Sequence, residues 1–269
     1  MGTILYFDGG LWPGSSAETA VMTSCPVCIA SGRVSQGKYT SSTKSVSAWA
    51  LRSRRGHKRP MTLPKVVLIG RPPFVGKSAA ARCIAARYGY GCISTDDIGK
   101  AVGAVTTVQT HARLPTLDDT DFRDYFTMTS VDTLIEHAKQ TREIIWPALE
   151  NIIRTHSTWG DPLVMEGYAL WPEQVMAADF VSTGAVWLAC DDQLLKARIR
   201  SQTSFYRGAS DEEALIANAM KRSSRYNELM VESAMKGGAT VISIEIGHSV
   251  EDIADLCVSA LEEDQSGSA

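Results

Sequence analysis

No run of about 18 apolar residues occurs in the chain, so no membrane-spanning helix is expected among its 269 residues. A disulfide framework is also missing. Cys83, Cys92, Cys190 and Cys257 are scattered through apolar segments and read as small buried hydrophobes of a protein in the reducing cytoplasm. Cys25 and Cys28 have the spacing of half a zinc site, but no second Cys pair lies near them and a structural zinc takes four ligands. The five histidines show no metal-ligand spacing, and no nucleophile-elbow pattern or internal repeat is present. The apolar pieces near the N-terminus are short and the basic cluster follows them, the reverse of a secretory signal. A net charge of −3 argues against a general nucleic-acid coat. Neither a membrane nor a nucleic acid is expected as a partner.

What charge there is lies unevenly. Residues 1–61 carry eight basic side chains (Arg33, Lys38, Lys44, Arg52, Arg54, Arg55, Lys58, Arg59) and two acidic ones (Asp8, Glu18). The rest has 19 basic and 28 acidic residues, a net of −9. The first segment is rich in Ser, Thr and Gly and lacks periodicity. It reads as a weakly ordered leader, and residues 62–269 as the folded domain. Met61 directly precedes the first convincing strand, so the working protein could start there. A flexible extension is the alternative.

After residue 61, short apolar runs alternate with helical patterns. Lys65–Gly70, Gly91–Ser94, Pro162–Glu166, Ala185–Cys190 and Thr240–Ile244 read as buried strands. A helix is expected over 77–88. A long one over about 130–155 would be capped by Ser130 and kinked or divided at Pro147. Ser210 with Glu213 forms a capping box for a helix that ends before Gly237-Gly238, and Ser249 caps the last helix. Alternation of this kind predicts a three-layer α/β domain with a five-stranded, mostly parallel sheet. Ligands of such sheets bind beyond the carboxyl ends of the strands.

The first strand end carries the strongest signal. Gly70-Arg71-Pro72-Pro73-Phe74-Val75-Gly76-Lys77-Ser78 stands between a strand and a helix, the context of a P-loop. Main-chain N–H groups and the helix dipole favour phosphate there, so Gly70, Pro73, Phe74, Val75, Gly76, Lys77, Ser78 and Ala79 are the candidate ATP-binding residues. Lys77 would bridge the β- and γ-phosphates, and Ser78 would place its hydroxyl on Mg2+. Arg71 stands where the pattern has Gly, and Phe74 where a small residue is common.

Acids follow the neighbouring strands. Asp96 is the candidate base for a substrate hydroxyl, with Asp97 as a helix cap or a second acid on the acceptor side. Glu166 could hold Mg2+ through water or orient the acceptor, beside Tyr168. Arg198, Arg200 and Arg207 fall in a segment, about 198–212, that reads as a basic lid, while solvated surface pairs are the alternative. Residues 101–160 read as an acceptor-binding helical segment that includes Arg123. The acidic residues Asp118, Asp119, Asp121 and Asp124 make a doubly phosphorylated acceptor less obvious. His137 and Arg142 read as surface residues of the long helix, and Arg222 and Arg225 as candidates to face the same cleft as the lid.

These residues together resemble P-loop small-molecule kinases, in particular the 2-phosphoglycerate kinase-like group. The resemblance rests on Val66-Val67-Leu68-Ile69-Gly70, Gly76-Lys77-Ser78, Ile93-Ser94-Thr95-Asp96, and Met165-Glu166-Gly167 with Pro172 beyond it. It covers most of residues 62–246. It implies a P-loop NTPase fold, ATP with Mg2+, a small hydroxylated acceptor, and roles for Lys77, Ser78 and Asp96 by matching position. Arg71 and Phe74 depart from the group's glycines, Gly99-Lys100 from an Arg, and Tyr168-Ala169 from a nearby His, so the acceptor is not carried over. The expected activity is phosphoryl transfer from ATP to an alcohol. A nucleotide-binding regulator or degenerate ATPase is the alternative, and a toxin-like kinase of a nucleotide sugar is a further one.

Overall fold

The computed structural model describes residues 63–74, 78–107, 110 and 122–267. The leader with Cys25 and Cys28, its basic run, Met61, and the residues Val75, Gly76, Lys77, Asp118, Asp119 and Asp121 lie outside the described residues.

Five strands form one parallel sheet: β1 (Val66–Gly70), β2 (Gly91–Ser94), β3 (Leu163–Gly167), β4 (Thr183–Cys190) and β5 (Val241–Ile244). Their order across the sheet is β2-β3-β1-β4-β5. The central strands β1 and β3 are buried along their whole length. In β1, Val67 and Ile69 point into one core and Val66 and Leu68 into the other. Period-two alternation between two apolar layers is what makes a three-layer domain, and each such fully buried side chain contributes about 1.5–3 kcal/mol.

One core lies against α1 (Ala79–Tyr88), α6 (Asp192–Ser201) and α9 (Val250–Gly267). The other lies against α4 (Val131–Thr158) and the C-terminal half of α8 (Glu212–Lys236). The shorter helices are α2 (Thr95–Val105), α3 (Phe122–Met128), α5 (Pro172–Ala177) and α7 (Thr203–Tyr206). None of the helices among the described residues is long and apolar enough to cross a membrane.

Several local expectations change. Pro147 does not divide α4, which runs unbroken to Thr158. Pro147 and Glu143 are both exposed, so the carbonyl that loses its partner sits on the solvent side. Ser130 does cap α4, accepting from Thr133 N. The expected Ser210–Glu213 box is replaced. Helix α8 starts one residue later, Asp211 accepts from Ala214 N at 2.9 Å, and Ser210 donates to Asp124 at 3.2 Å. The box at the start of α9 is present in full, with Ser249 and Asp252 bonding each other's main-chain N–H. Strand β3 begins at Leu163, because Pro162 has no N–H to give the sheet; its carbonyl accepts from Gly91 N. Cys190 and Cys257 are buried as expected, Cys83 is half-buried, and Cys92 is exposed because β2 is an edge strand.

Candidate active site

The order of the strands places the ends of β1, β2 and β3 side by side. In register, Gly70 lies opposite Gly167, and Ser94 opposite Glu166. The loop after β1, the first turn of α2 and the exit of β3 therefore share one edge of the sheet.

Glu166 is the centre of this edge. It lies on the α1 face of β3, the face of Val164, and is 1% exposed. Its Oε1 accepts from Ser78 Oγ at 2.6 Å. Its Oε2 accepts from Arg71 Nε at 3.0 Å and sits 2.9 Å from Arg71 Nη2. Arg71 is itself 4% exposed, so this is a buried, forked ion pair. Ser78 occupies the N-cap of α1 but makes no capping bond with its side chain; the hydroxyl is turned to Glu166 instead. The two oxygen groups expected to face Mg2+ are thus in contact with each other.

Arg198, on the last turn of α6, comes up to the same loop. Burial lowers its pKa, the nearby Cys190 thiol acts the other way, and the positive charge of Arg71 lowers it further. Its Nη1 is buried without a hydrogen-bond partner. Two guanidinium groups thus lie close together with one carboxylate, that of Glu166, paired to Arg71, which leaves the loop positive. The other two arginines of the expected lid lie elsewhere. Arg200 is exposed and forked to Glu213 at 2.8 and 3.1 Å, and Arg207 is exposed.

The loop is gripped from its outer side. Phe74 adopts a left-handed backbone, φ 67°, which costs a non-glycine residue about 1–2 kcal/mol. Its ring packs edge-on against Phe205 of α7, with Phe122 and Phe126 of α3 on the far side. This apolar cluster offsets the strain and joins the loop to α7, inside the segment expected to form a lid. Pro73 and Gly70 are also buried. Gly70 serves packing: a Cβ there would lie 2.2 Å from the ring of Trp187, whose indole N–H donates to the Leu170 carbonyl at 2.8 Å. Ala79 opens α1.

A second cluster lies next to the first. Asp96 is 4% exposed in the first turn of α2, where the helix dipole favours a carboxylate. Asp97 is on the outer face, 4.0 Å from Lys100 Nζ, and the capping role is taken by Ser94, whose Oγ accepts from Asp96 N. The helix begins at Thr95, earlier than expected, and this is why Asp97 is too late to cap it. Gly167 makes the close approach possible. Its φ is +148°, and a Cβ there would sit 1.8 Å from Thr95 Oγ1.

Asp96 interacts with Arg222 and Tyr226 of α8, and residues of α4 and α3 lie next to these in turn. Arg222 of α8 is 3% exposed; burial brings its pKa down to about 10, against the pull of Tyr226, Tyr168, Tyr125 and Asp96 nearby. Arg142 of α4 is 7% exposed and lies over the Trp171 ring at 4.0 Å, with its Nε buried and unpartnered. Tyr226 touches both arginines electrostatically, donates its OH to the Tyr168 carbonyl at 2.6 Å, and has its pKa raised by burial. His137 accepts or donates to the Tyr125 hydroxyl and stacks on its ring. Arg123 lies over Phe122.

Arg142 and Arg222 are the pair that sequence reasoning undervalued, and both carried a signal. Arg142 falls in the stripe Leu134, Ala138, Ile145, Leu149, and Arg222 in the stripe Leu215, Ala219, Tyr226, Met230, where only buried residues belong. Arg71 was visible only as a departure from the loop pattern.

Among the described residues no three His, Cys, Asp or Glu side chains gather as a metal cluster. A Mg2+ carried in by phosphates needs no such cluster, since it commonly keeps several waters and takes one or two protein oxygens. Ser78 and Glu166 fit that donor set. A cavity of about 750 Å3 opens at the opposite edge of the sheet, lined by Lys65, Asp179, Thr183 and Gly238 among others, and holds none of the candidate residues.

The sheet order and the strand–loop–helix at β1 make this a P-loop kinase-like α/β fold. Neither a family model nor a curated protein matches the chain. Among solved structures, a gluconokinase from Sinorhizobium meliloti 1021 aligns over 77% of this chain and 98% of its own, with 15% identity and a TM-score of 0.44. A shikimate kinase from Bacteroides thetaiotaomicron aligns over 75% and 98%, with 12% identity and a TM-score of 0.42. A dephospho-CoA kinase from Campylobacter jejuni aligns over 76% and 99%, with 13% identity and a TM-score of 0.41. Likeness at this level carries no argument about activity.

Proposed function

We propose that the protein is an ATP-dependent phosphotransferase whose acceptor is a small alcohol bearing one anionic group. The observation that carries the reading is the adjacency of two buried clusters: a positive loop site at Arg71, Ser78, Glu166 and Arg198, and a second cluster in which Asp96 lies near Arg222 and both share Tyr226 with Arg142. A donor anion fits the first. A hydroxyl beside a carboxylate, with an anionic handle beside two guanidinium groups, fits the second. Two arginines against one aspartate leave about one positive charge, which matches a carboxylate or a single phosphate better than two phosphates.

In this reading Asp96 takes the proton of the acceptor hydroxyl as the oxygen–phosphorus bond forms and the bond to the β-phosphate breaks, releasing ADP. Arg198 stabilises the transferring phosphoryl group, and Lys77 does so by its place in the loop. Ser78 and Glu166 would hold Mg2+, which neutralises phosphate charge when bound. Tyr168 and Tyr226 shape the acceptor pocket and Trp171 holds Arg142 over its face. Residues about 198–212 act as a lid hinged on the Phe74–Phe205 contact, and Asp97 and Arg200 stay outside the chemistry. The short motifs shared with the 2-phosphoglycerate kinase-like group support the kinase class and leave the acceptor to the pocket.

The test is ATP labelled at the γ-position with three panels: hydroxycarboxylates, singly phosphorylated alcohols, and neutral polyols. Label is expected in an anionic acceptor and absent from the neutral panel. ATP binding without label in any panel supports the second reading, a nucleotide-binding regulator, which the occupation of Glu166 by Arg71 favours.

A further inference from the structure

Arg71 stands at a position where a glycine would leave the strand end open, and it fills the opening with charge. A carboxylate as deeply buried as Glu166 needs a partner, since an isolated buried ion is strongly unfavourable. Without nucleotide, that partner is Arg71. The fork covers Oε2, the Ser78 hydroxyl covers Oε1, and Arg198 adds a second positive charge close by. A divalent ion arriving alone would find the attraction of Glu166 already neutralised and would be repelled by both guanidinium groups. A triphosphate changes the balance, because its own negative charge exceeds that of the loop's cations.

We infer that Arg71 is a resident counter-cation that keeps free divalent metal off Ser78 and Glu166, so that the metal enters only with the nucleotide. This rests on the reading of Ser78 and Glu166 as the metal-side oxygens. Arg71 is a positioning residue here: it acts through Glu166. The requirement for a bound nucleotide is then set by a charge already in the loop, and it would disappear if that charge did.

Thermal unfolding of the nucleotide-free chain, with and without millimolar MnCl2, tests this separately from phosphotransfer. The wild-type midpoint is expected to stay put. Arg71→Gln keeps a hydrogen-bond donor beside Glu166 but removes the charge. It should bind Mn2+ about tenfold more tightly or better, and its midpoint should rise by several degrees when the ion is added. The double variant Arg71→Gln/Glu166→Gln should lose that response. If Arg71→Gln folds only with Mn2+ present, recovery of the helical circular dichroism on adding the ion supports the proposal equally. A wild type stabilised as much as Arg71→Gln, an Arg71→Gln chain that ignores the ion whether folded or not, or a double variant that still responds overturns it. Failure of the kinase reading would appear elsewhere, as absence of nucleotide binding or of a labelled acceptor.

Discussion

Replacing Arg142 by Met separates what this residue does for the fold from what it does for a ligand. Arg142 is 7% exposed, with Nε unpartnered and the Trp171 ring 4.0 Å from its guanidinium. An unsatisfied buried donor costs about 1–3 kcal/mol. A desolvated cation over an indole returns about 2 kcal/mol. Methionine gives up both and keeps much of the volume among Ala138, Ile145 and Trp171. The two contributions nearly cancel, and the lost hydrogen bond to Tyr226 adds about 1 kcal/mol, so stability should fall by about 2 kcal/mol or less, a midpoint shift within about 8 °C. An acceptor anion would lose a charged hydrogen bond, about 1.5–3 kcal/mol. That is a rise in acceptor KM of about 10- to 150-fold. In the proposed reading the guanidinium holds the acceptor and does not touch the transferring phosphoryl group, so kcat should change much less. Thermal melts and acceptor-saturation kinetics on the same preparation measure both. A midpoint that falls by more than about 8 °C with KM unchanged would show that Arg142 is only a strut, and the anionic-acceptor reasoning would fail with it.

Other outcomes follow from single residues. Asp96→Asn should leave nucleotide affinity within about threefold of wild type while transfer drops by about 100-fold or more; equal transfer rates would remove Asp96 as the base. Gly167→Ala forces a methyl group to within 1.8 Å of Thr95 Oγ1 at a φ of +148°. It should cost at least about 3 kcal/mol, seen as a midpoint lower by about 6–12 °C; an unchanged midpoint would mean that β3 does not leave the sheet along this path. Burial pushes the Cys190 and Cys257 thiols up to about 12. In the folded protein near pH 8, iodoacetamide should therefore modify Cys92 well before either of them, as read by peptide mass spectrometry. Equal labelling of Cys190 would contradict the packing of β4.

Much of the fold was legible because it depends on local pattern. Val66–Ile69 and Leu163–Met165 are apolar on both faces, which only a central strand requires, and Ser130, Ser249 and Gly237-Gly238 bound their helices as expected. The failures are also local and physical. Asp211 caps in place of Ser210, whose hydroxyl is turned to Asp124, and Pro147 is tolerated because it faces water. The site was legible where a motif or an out-of-place residue marked it. Ser78 and Asp96 follow strands, and two arginines interrupt apolar stripes. The partner of Arg71 was not, because Glu166 is 95 residues away and meets it only through the placement of β3 beside β1. Arg200 stayed open between a lid role and a surface pair for the same reason: whether it reaches the loop or Glu213 depends on how α6 and α8 meet, and nothing within α6 encodes that.

The central claim is that a nucleoside triphosphate binds at the end of β1 against the first turn of α1. Titration calorimetry of Mg2+ with a non-hydrolysable ATP analogue, repeated with Lys77→Ala, tests it most directly. Saturable binding near one equivalent that is lost in the variant is the expected result. A flat titration with folded wild-type protein, or an isotherm unchanged by Lys77→Ala, would contradict it.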